Sequence, residues 1–288
     1  MREIEAIALL SPVKQPDRWF GLRYSMNLYR GCQHRCIYCD SRSLCYQIED
    51  FDEVQVKANA IDLLRRELAA KRSKGTIGTG SMSDPYMPVE RDLMLTQRAL
   101  QLIAEFGFPL HVMTKSDLVL RDLDLLRTIG RVFSSVTFTI TTVDDQLGSE
   151  VEPGAPLVST RFAAMGRLAA HGVQTGVAIM PILPLLEDTL ENVEAILRTA
   201  RDFGATYATA SFGVTLRDRQ RAYFLEQLDR LYPGMRAEYE RRYGDQYFCP
   251  ARGHRYLEQE FDGLCESRGL KTGVPHYRPE RAQQLRLL

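Results

Sequence analysis

The sequence predicts an α/β fold in which six parallel strands alternate with helices. Three observations carry that reading. Strand-like and helix-like patterns alternate about every 30 residues, without internal repeats or low-complexity tracts, and such alternation joins parallel strands through helices. Helical segments stop at His171-Gly172 and Phe203-Gly204, glycine being the residue that most readily turns left-handed at a helix end. A chain of 288 residues, 44% of them hydrophobic, suffices for one barrel or two small domains, because a chain near this length buries about 75% of its unfolded surface.

The first strand is expected over 22–28. A helix over 57–71 places Ala60, Leu63, Leu64 and Leu68 at amphipathic spacing, and a short strand over 76–82 runs into Ser81-Met-Ser-Asp-Pro-Tyr86. Helices over 91–106 and 120–132 flank a third strand over 110–115, and a fourth, over 136–142, is rich in threonine and β-branched residues. Helices over 160–170 and 189–203 accompany the fifth and sixth strands, over 175–182 and 206–212. The barrel is therefore assigned to 1–230, and 231–288 to a C-terminal cap or closing extension broken at Pro233-Gly234 and Cys249-Pro250. Parallel barrels and doubly wound sheets both fit six units, and both place chemistry at the C-terminal ends of strands.

With 37 basic and 37 acidic side chains, the chain lacks the excess positive charge on which nonspecific nucleic-acid binding depends. Only six of the basic residues are lysines, so a lysine at a motif position is informative. The N-terminal apolar run, Ile7 to Leu10, is too short for a signal-peptide core, and the stretch from Gly176 to Leu186 is broken by Pro181 and Pro184. A cytoplasmic location is expected, where thiols stay reduced and clustered cysteines bind metals or do chemistry.

Cys32, Cys36 and Cys39 follow the first strand with the spacing C-x3-C-x2-C. Three thiolates on one loop can wrap a soft metal centre, and zinc and iron–sulfur clusters are the two candidates. Cys45 or His34 would supply the fourth ligand of a structural zinc site, which defines a non-enzymatic alternative, a zinc-stabilised binding module. A cluster of four irons held by three cysteines would instead leave one iron open.

Cys32, Cys36, Tyr38 and Cys39 resemble the C-x3-C-x-aromatic-C signature of the radical SAM superfamily. The resemblance implies a partial (β/α)6 TIM-like barrel, a [4Fe-4S] cluster on the three cysteines, and S-adenosyl-L-methionine bound at the open iron. It further implies reductive cleavage to a 5′-deoxyadenosyl radical that abstracts a substrate hydrogen, driven by a reducing partner such as flavodoxin or ferredoxin. From about Tyr24 to Thr215 the chain is similar to the spore photoproduct lyase-like branch, through Asn27-Leu-Tyr-Arg-Gly-Cys32, Ser83-Asp-Pro-Tyr86, Thr114-Lys-Ser116, Glu152-Pro153 with Arg161, and Pro181-Ile-Leu-Pro184. By that match Ser83 meets the methionyl amine and Lys115 its carboxylate. Tyr38 packs beside the adenine, and Thr139 or Thr141 reaches the ribose.

Glu152 and Arg161 serve either the ligands or a structural pair. In the lyase a cysteine returns hydrogen to the substrate, and Ser81 stands at the matching position. An O–H bond is much stronger than an S–H bond, so a thiol would have to come from Cys45, Cys249 or Cys265. A nucleic-acid lesion is the substrate the branch implies, whereas neutral charge and Ser81 suit a peptide or small molecule. Seven arginines between Arg217 and Arg242, interleaved with aromatics, fit either nucleic-acid contacts or an amphipathic helix packed on the barrel.

Overall fold

The computed structural model describes residues 1–13 and 19–279; residues 14–18 and 280–288, the end of the expected C-terminal extension, lie outside the described residues. Among these, six parallel strands occupy one sheet in chain order: Tyr24–Met26, Ile77–Thr79, Leu110–Thr114, Ser134–Thr139, Gln174–Ile179 and Tyr207–Ala210. Spatial order that follows chain order is the arrangement of a barrel, since a doubly wound sheet reverses partway. The barrel is partial. Leu10–Pro12 pairs antiparallel with the first strand at one edge, and Lys271–Thr272 pairs parallel with the sixth at the other. A two-residue strand leaves no alternation to detect, which is why the tail reads as helical from its pattern.

Helices Ala60–Ala70, Leu95–Phe106, Leu123–Gly130, Val158–Ala170 and Leu190–Asp202 fill the connections. Each lays an apolar stripe on the sheet; Leu63, Leu64 and Leu68, for example, are buried on the first. Gly172 and Gly204 end their helices at φ +78° and +84°. The expected helix over 91–106 is interrupted at Met94, where φ is +48°, and that over 120–132 begins as the tighter helix Asp117–Asp122. The pattern missed Asp145–Val151, whose N-terminus is capped by the Asp144 carboxylate accepting from the Gln146 and Leu147 amides.

The first strand is shorter than expected because Tyr29–Arg30 leaves the barrel for a small sheet with Gln55–Lys57 and Arg2–Ile4. That sheet brackets the cysteine loop. Gly31 opens the loop at φ +77°, where a Cβ would stand 2.7 Å from the Phe51 carbonyl oxygen.

Alternation along the fourth strand decides what the barrel interior is made of. Val136 and Phe138 join the hydrophobic core, while Ser135 and Thr137 take the opposite parity and engage polar partners. Ser135 Oγ lies 2.8 Å from His111 Nδ1, and Thr137 Oγ1 lies 2.7 Å from the Tyr207 hydroxyl. The Tyr207 ring crosses the fifth strand at Gly176, where a Cβ would fall 2.2 Å from it. Burial pushes His111 down to about 3, so the imidazole is neutral at physiological pH. Among the described residues, no helix is long and apolar enough to cross a membrane.

Candidate active site

A cavity of about 360 Å³ opens at the C-terminal ends of the strands. Cys32, Cys36, Cys39, Tyr38, Ser83, Lys115 and Thr139 all line it, although they come from four different segments. Gly80, at φ +100°, lets the turn after the second strand pass the third; a Cβ there would lie 2.0 Å from the Met113 carbonyl oxygen. The same turn carries Ser83, whose hydroxyl donates to the Tyr29 carbonyl at 3.0 Å and leaves its lone pairs free to accept. Asp84 ties the turn to the third strand, accepting from Thr114 Oγ1 and the Lys115 amide, both at 2.7 Å. Its carboxylate serves as a structural clamp.

The donor set suits an iron–sulfur cluster. Burial raises the thiols of Cys36 and Cys39 and pushes Cys32 up to about 12, with Asp84 and Cys39 adding to the effect on Cys32. The polypeptide alone therefore holds them as neutral thiols, and a metal's positive charge is what would make them thiolates. His34 lines the same cavity fully buried, with no hydrogen-bond partner at Nε2, and its Nδ1 stands 3.4 Å from Asp84 Oδ2, outside hydrogen-bond geometry. Among the described residues, no group of three His, Cys, Asp or Glu side chains is arranged to hold a single metal ion. Cys45 is exposed, bonds Ser43 and does not line the cavity, so of the two fourth zinc ligands considered above only His34 lies beside the three cysteines.

Glu152 organises the site from behind the cavity wall. It is buried, pairs with the Arg161 guanidinium, accepts a hydrogen bond from the Tyr38 hydroxyl, and lies 3.7 Å from Lys115 Nζ. Burial alone would raise its carboxyl, but Arg161 and Lys115 outweigh this and hold it below the usual range. Burial likewise disfavours the Lys115 cation, yet the neighbouring Glu152 carboxylate helps to carry its pKa above the ordinary value. The Arg161 guanidinium also donates to the Thr139 carbonyl at 3.2 Å, so one buried carboxylate links three of the four expected cofactor residues. The neighbouring backbone docks the cysteine loop: Ile37 N donates to Val151 O, and Gly154 N to His34 O, both at 2.9 Å. Glu152 and Arg161 are thus a structural pair that reaches the cavity through Tyr38 and Lys115.

Sequence reasoning overlooked Glu187. Burial pushes this carboxyl up from 4.5 to about 8, even though it accepts from Thr141 Oγ1 at 2.7 Å and the Leu183 amide at 2.9 Å. A folded-state value above the unfolded one means that the folded chain holds the extra proton between these limits. Stability should then fall as pH rises from about 4.5 to 8, by at most about 1.4 kcal/mol per pH unit. Glu187→Gln is expected to flatten the urea-unfolding free energy over that window and to exceed the parent at pH 8. Parallel curves for the two proteins would show instead that Glu187 is ionised in the fold.

The remaining thiol candidates lie elsewhere. Cys249 packs in the cluster beneath Leu183 and Phe224, and Cys265 is buried between helix His254–Ser267 and the sheet; neither lines the cavity, nor does Cys45. Ser81 does line it and is exposed. The arginine-rich segment forms helices Asp218–Leu231 and Met235–Tyr243, with the Tyr239 ring meeting Phe224 edge-on and Tyr243 at a tilt, each at a centroid separation of 5.4 Å. Six of its seven arginines have partners within the chain: Arg217 and Arg219 bond the segment after the cysteines, Arg221 caps the Gly244 and Gln246 carbonyls, and the exposed Arg236, Arg241 and Arg242 pair with Glu240 and Glu238 on their own helix. The packed-helix alternative accounts for this spacing.

The family model described as Radical SAM superfamily matches residues 26–200. An uncharacterized protein of Mycobacterium tuberculosis is 34% identical over 229 residues, covering 77% of this chain and 67% of that protein. One of Methanocaldococcus jannaschii is 35% identical over 208 residues, covering 71% and 74%. Among solved structures, a spore photoproduct lyase variant with bound AdoMet and dinucleoside spore photoproduct superposes with a TM-score of 0.68 at 16% identity, over 96% of this chain and 81% of that one. At that identity the likeness is one of fold.

Proposed function

The chain belongs to the radical SAM superfamily, enzymes that use a [4Fe-4S] cluster and S-adenosyl-L-methionine, and from that premise we propose that Cys32, Cys36 and Cys39 hold the cluster while Tyr38, Ser83, Lys115 and Thr139 seat the cofactor. The observation that supports this most is the convergence of all seven side chains on one cavity at the strand ends. When bound, the two groups supply an electron and a 5′-deoxyadenosyl radical that takes a hydrogen atom from the substrate.

The chain's own residues bind and orient. Lys115 offers a compact cation to the methionyl carboxylate, aimed by Glu152. Ser83 offers lone pairs to the amine because its proton is committed to Tyr29. The Tyr38 ring, fixed by Glu152 and 5.6 Å from Lys115 Nζ, walls the adenine side, and Thr139 stands at the end of the fourth strand for the ribose. Met113, Met180, Ser211 and Phe248 are left to contact substrate.

The substrate reading is a nucleic-acid lesion or base, supported by the resemblance to the spore photoproduct lyase branch. A peptide or small molecule is the second reading, supported by zero net charge, by the engaged arginines, and by Ser81 lining the cavity where the lyase has its hydrogen-donating cysteine. The reductant would be a flavodoxin or ferredoxin.

Anaerobic reconstitution is expected to load about four irons per chain and, with dithionite and S-adenosylmethionine, to yield 5′-deoxyadenosine. A colourless protein with one zinc per chain would overturn the reading. Retention on immobilised DNA that falls steeply with salt would select the nucleic-acid substrate; passage through the column at low salt would select the other class.

A further inference from the structure

We propose that Arg217–Gln220, where helix Asp218–Leu231 begins, form a clasp that positions the cysteine loop for its cluster, with the Arg217–Asp40 pair setting the charge beside Cys39. The proposal rests on the cluster reading above. Asp40 directly follows Cys39, and Arg217 grips it with both ends of its fork, Nε donating to Oδ1 at 3.0 Å and Nη2 to Oδ2. The guanidinium also lies over the Tyr46 and Tyr247 rings, 5.6 and 5.5 Å from their centroids.

Each of the next three residues holds the same segment. Asp218 accepts from Ser43 Oγ at 2.9 Å and from the Leu44 amide at 3.2 Å. Arg219 donates to the carbonyls of Arg42 at 2.6 Å and Glu49 at 3.1 Å, and to that of Ile48. Gln220 Nε2 donates to the Tyr38 carbonyl at 3.0 Å. Four consecutive residues thus hold the backbone and side chains from Tyr38 to Glu49, a segment that includes the third cysteine. Asp218 sits at φ +37°, a conformation costly for a non-glycine residue and kept where surrounding contacts determine it. The clasp lies beyond the 26–200 span matched by the family model, so the shared motifs do not supply it.

Partners that orient metal ligands carry about 10- to 100-fold in metal affinity, and the net charge around a cluster shifts its potential. Loss of Arg217 would leave the Asp40 carboxylate unpaired beside Cys39, which disfavours adding an electron. The experiment compares reconstituted parent, Arg217→Gln, Arg219→Gln, Asp40→Asn and the Arg217→Gln/Asp40→Asn double variant. Arg236→Gln, which breaks an exposed pair outside the clasp, is the control.

Iron release to a chelator, midpoint potential and the EPR spectrum of the reduced protein are read. Arg217→Gln and Arg219→Gln are expected to release iron at least about tenfold faster. Arg217→Gln should shift the midpoint downward, Asp40→Asn upward, and the double variant back toward the parent. Arg217→Lys, which keeps the charge without the fork, should combine faster release with a parent-like midpoint, and it decides the matter if a more severe variant fails to fold. Release rates, midpoints and spectra that coincide with the parent's, or a control that changes as much, would overturn the clasp. A parent that takes up no iron would sink the cluster reading itself.

Discussion

A Cys32→Ala, Cys36→Ala, Cys39→Ala variant is expected to retain no reconstituted iron above background and to form no 5′-deoxyadenosine with dithionite, while keeping its fold. The three thiols line the cavity wall and are held neutral by burial. The folded chain therefore gains nothing electrostatically from them without the metal, and replacing a small apolar-packed thiol with alanine removes little volume. Circular dichroism and a urea-unfolding curve on the apo-proteins check the fold, and iron analysis with product chromatography checks the chemistry. Product formed by the triple variant at the parent's rate would sink the assignment of these ligands.

Glu152→Ala should be the most destabilising single change at the site. It would leave Arg161, 1% exposed, with only the Pro156 and Thr139 carbonyls at 2.9 and 3.2 Å, and it would free Tyr38 and Lys115 from their shared anchor. Removing one partner of a buried ion pair costs about 3–5 kcal/mol, a large share of the ~5–15 kcal/mol by which domains are stable. A Glu152→Gln/Arg161→Met double variant should recover part of that loss, because it removes both buried charges together. Urea unfolding at neutral pH measures both, and a Glu152→Ala unfolding free energy within about 1 kcal/mol of the parent's would show that the pair is solvated. Where Glu152→Ala still folds, S-adenosylmethionine should bind more weakly, since Lys115 is no longer aimed at the cavity.

By itself the sequence determined the order of the six barrel strands, the cysteine spacing, and the placement of Ser83 and Lys115 at strand ends. All of these are local: periodicity, turn residues and spacing lie within windows of a few tens of residues, and parallel βα units leave few ways to assemble them. Only the tertiary structure decided which charges meet. Glu152 finds Tyr38 from 114 residues away, and Arg217 finds Asp40 from 177. Whether an arginine faces nucleic acid or a carbonyl of its own chain, and whether Cys249 reaches a cavity or a core, likewise depended on packing. Partner choice among charges is set by distance and desolvation in the folded state, and neither quantity is written in any stretch of contiguous residues.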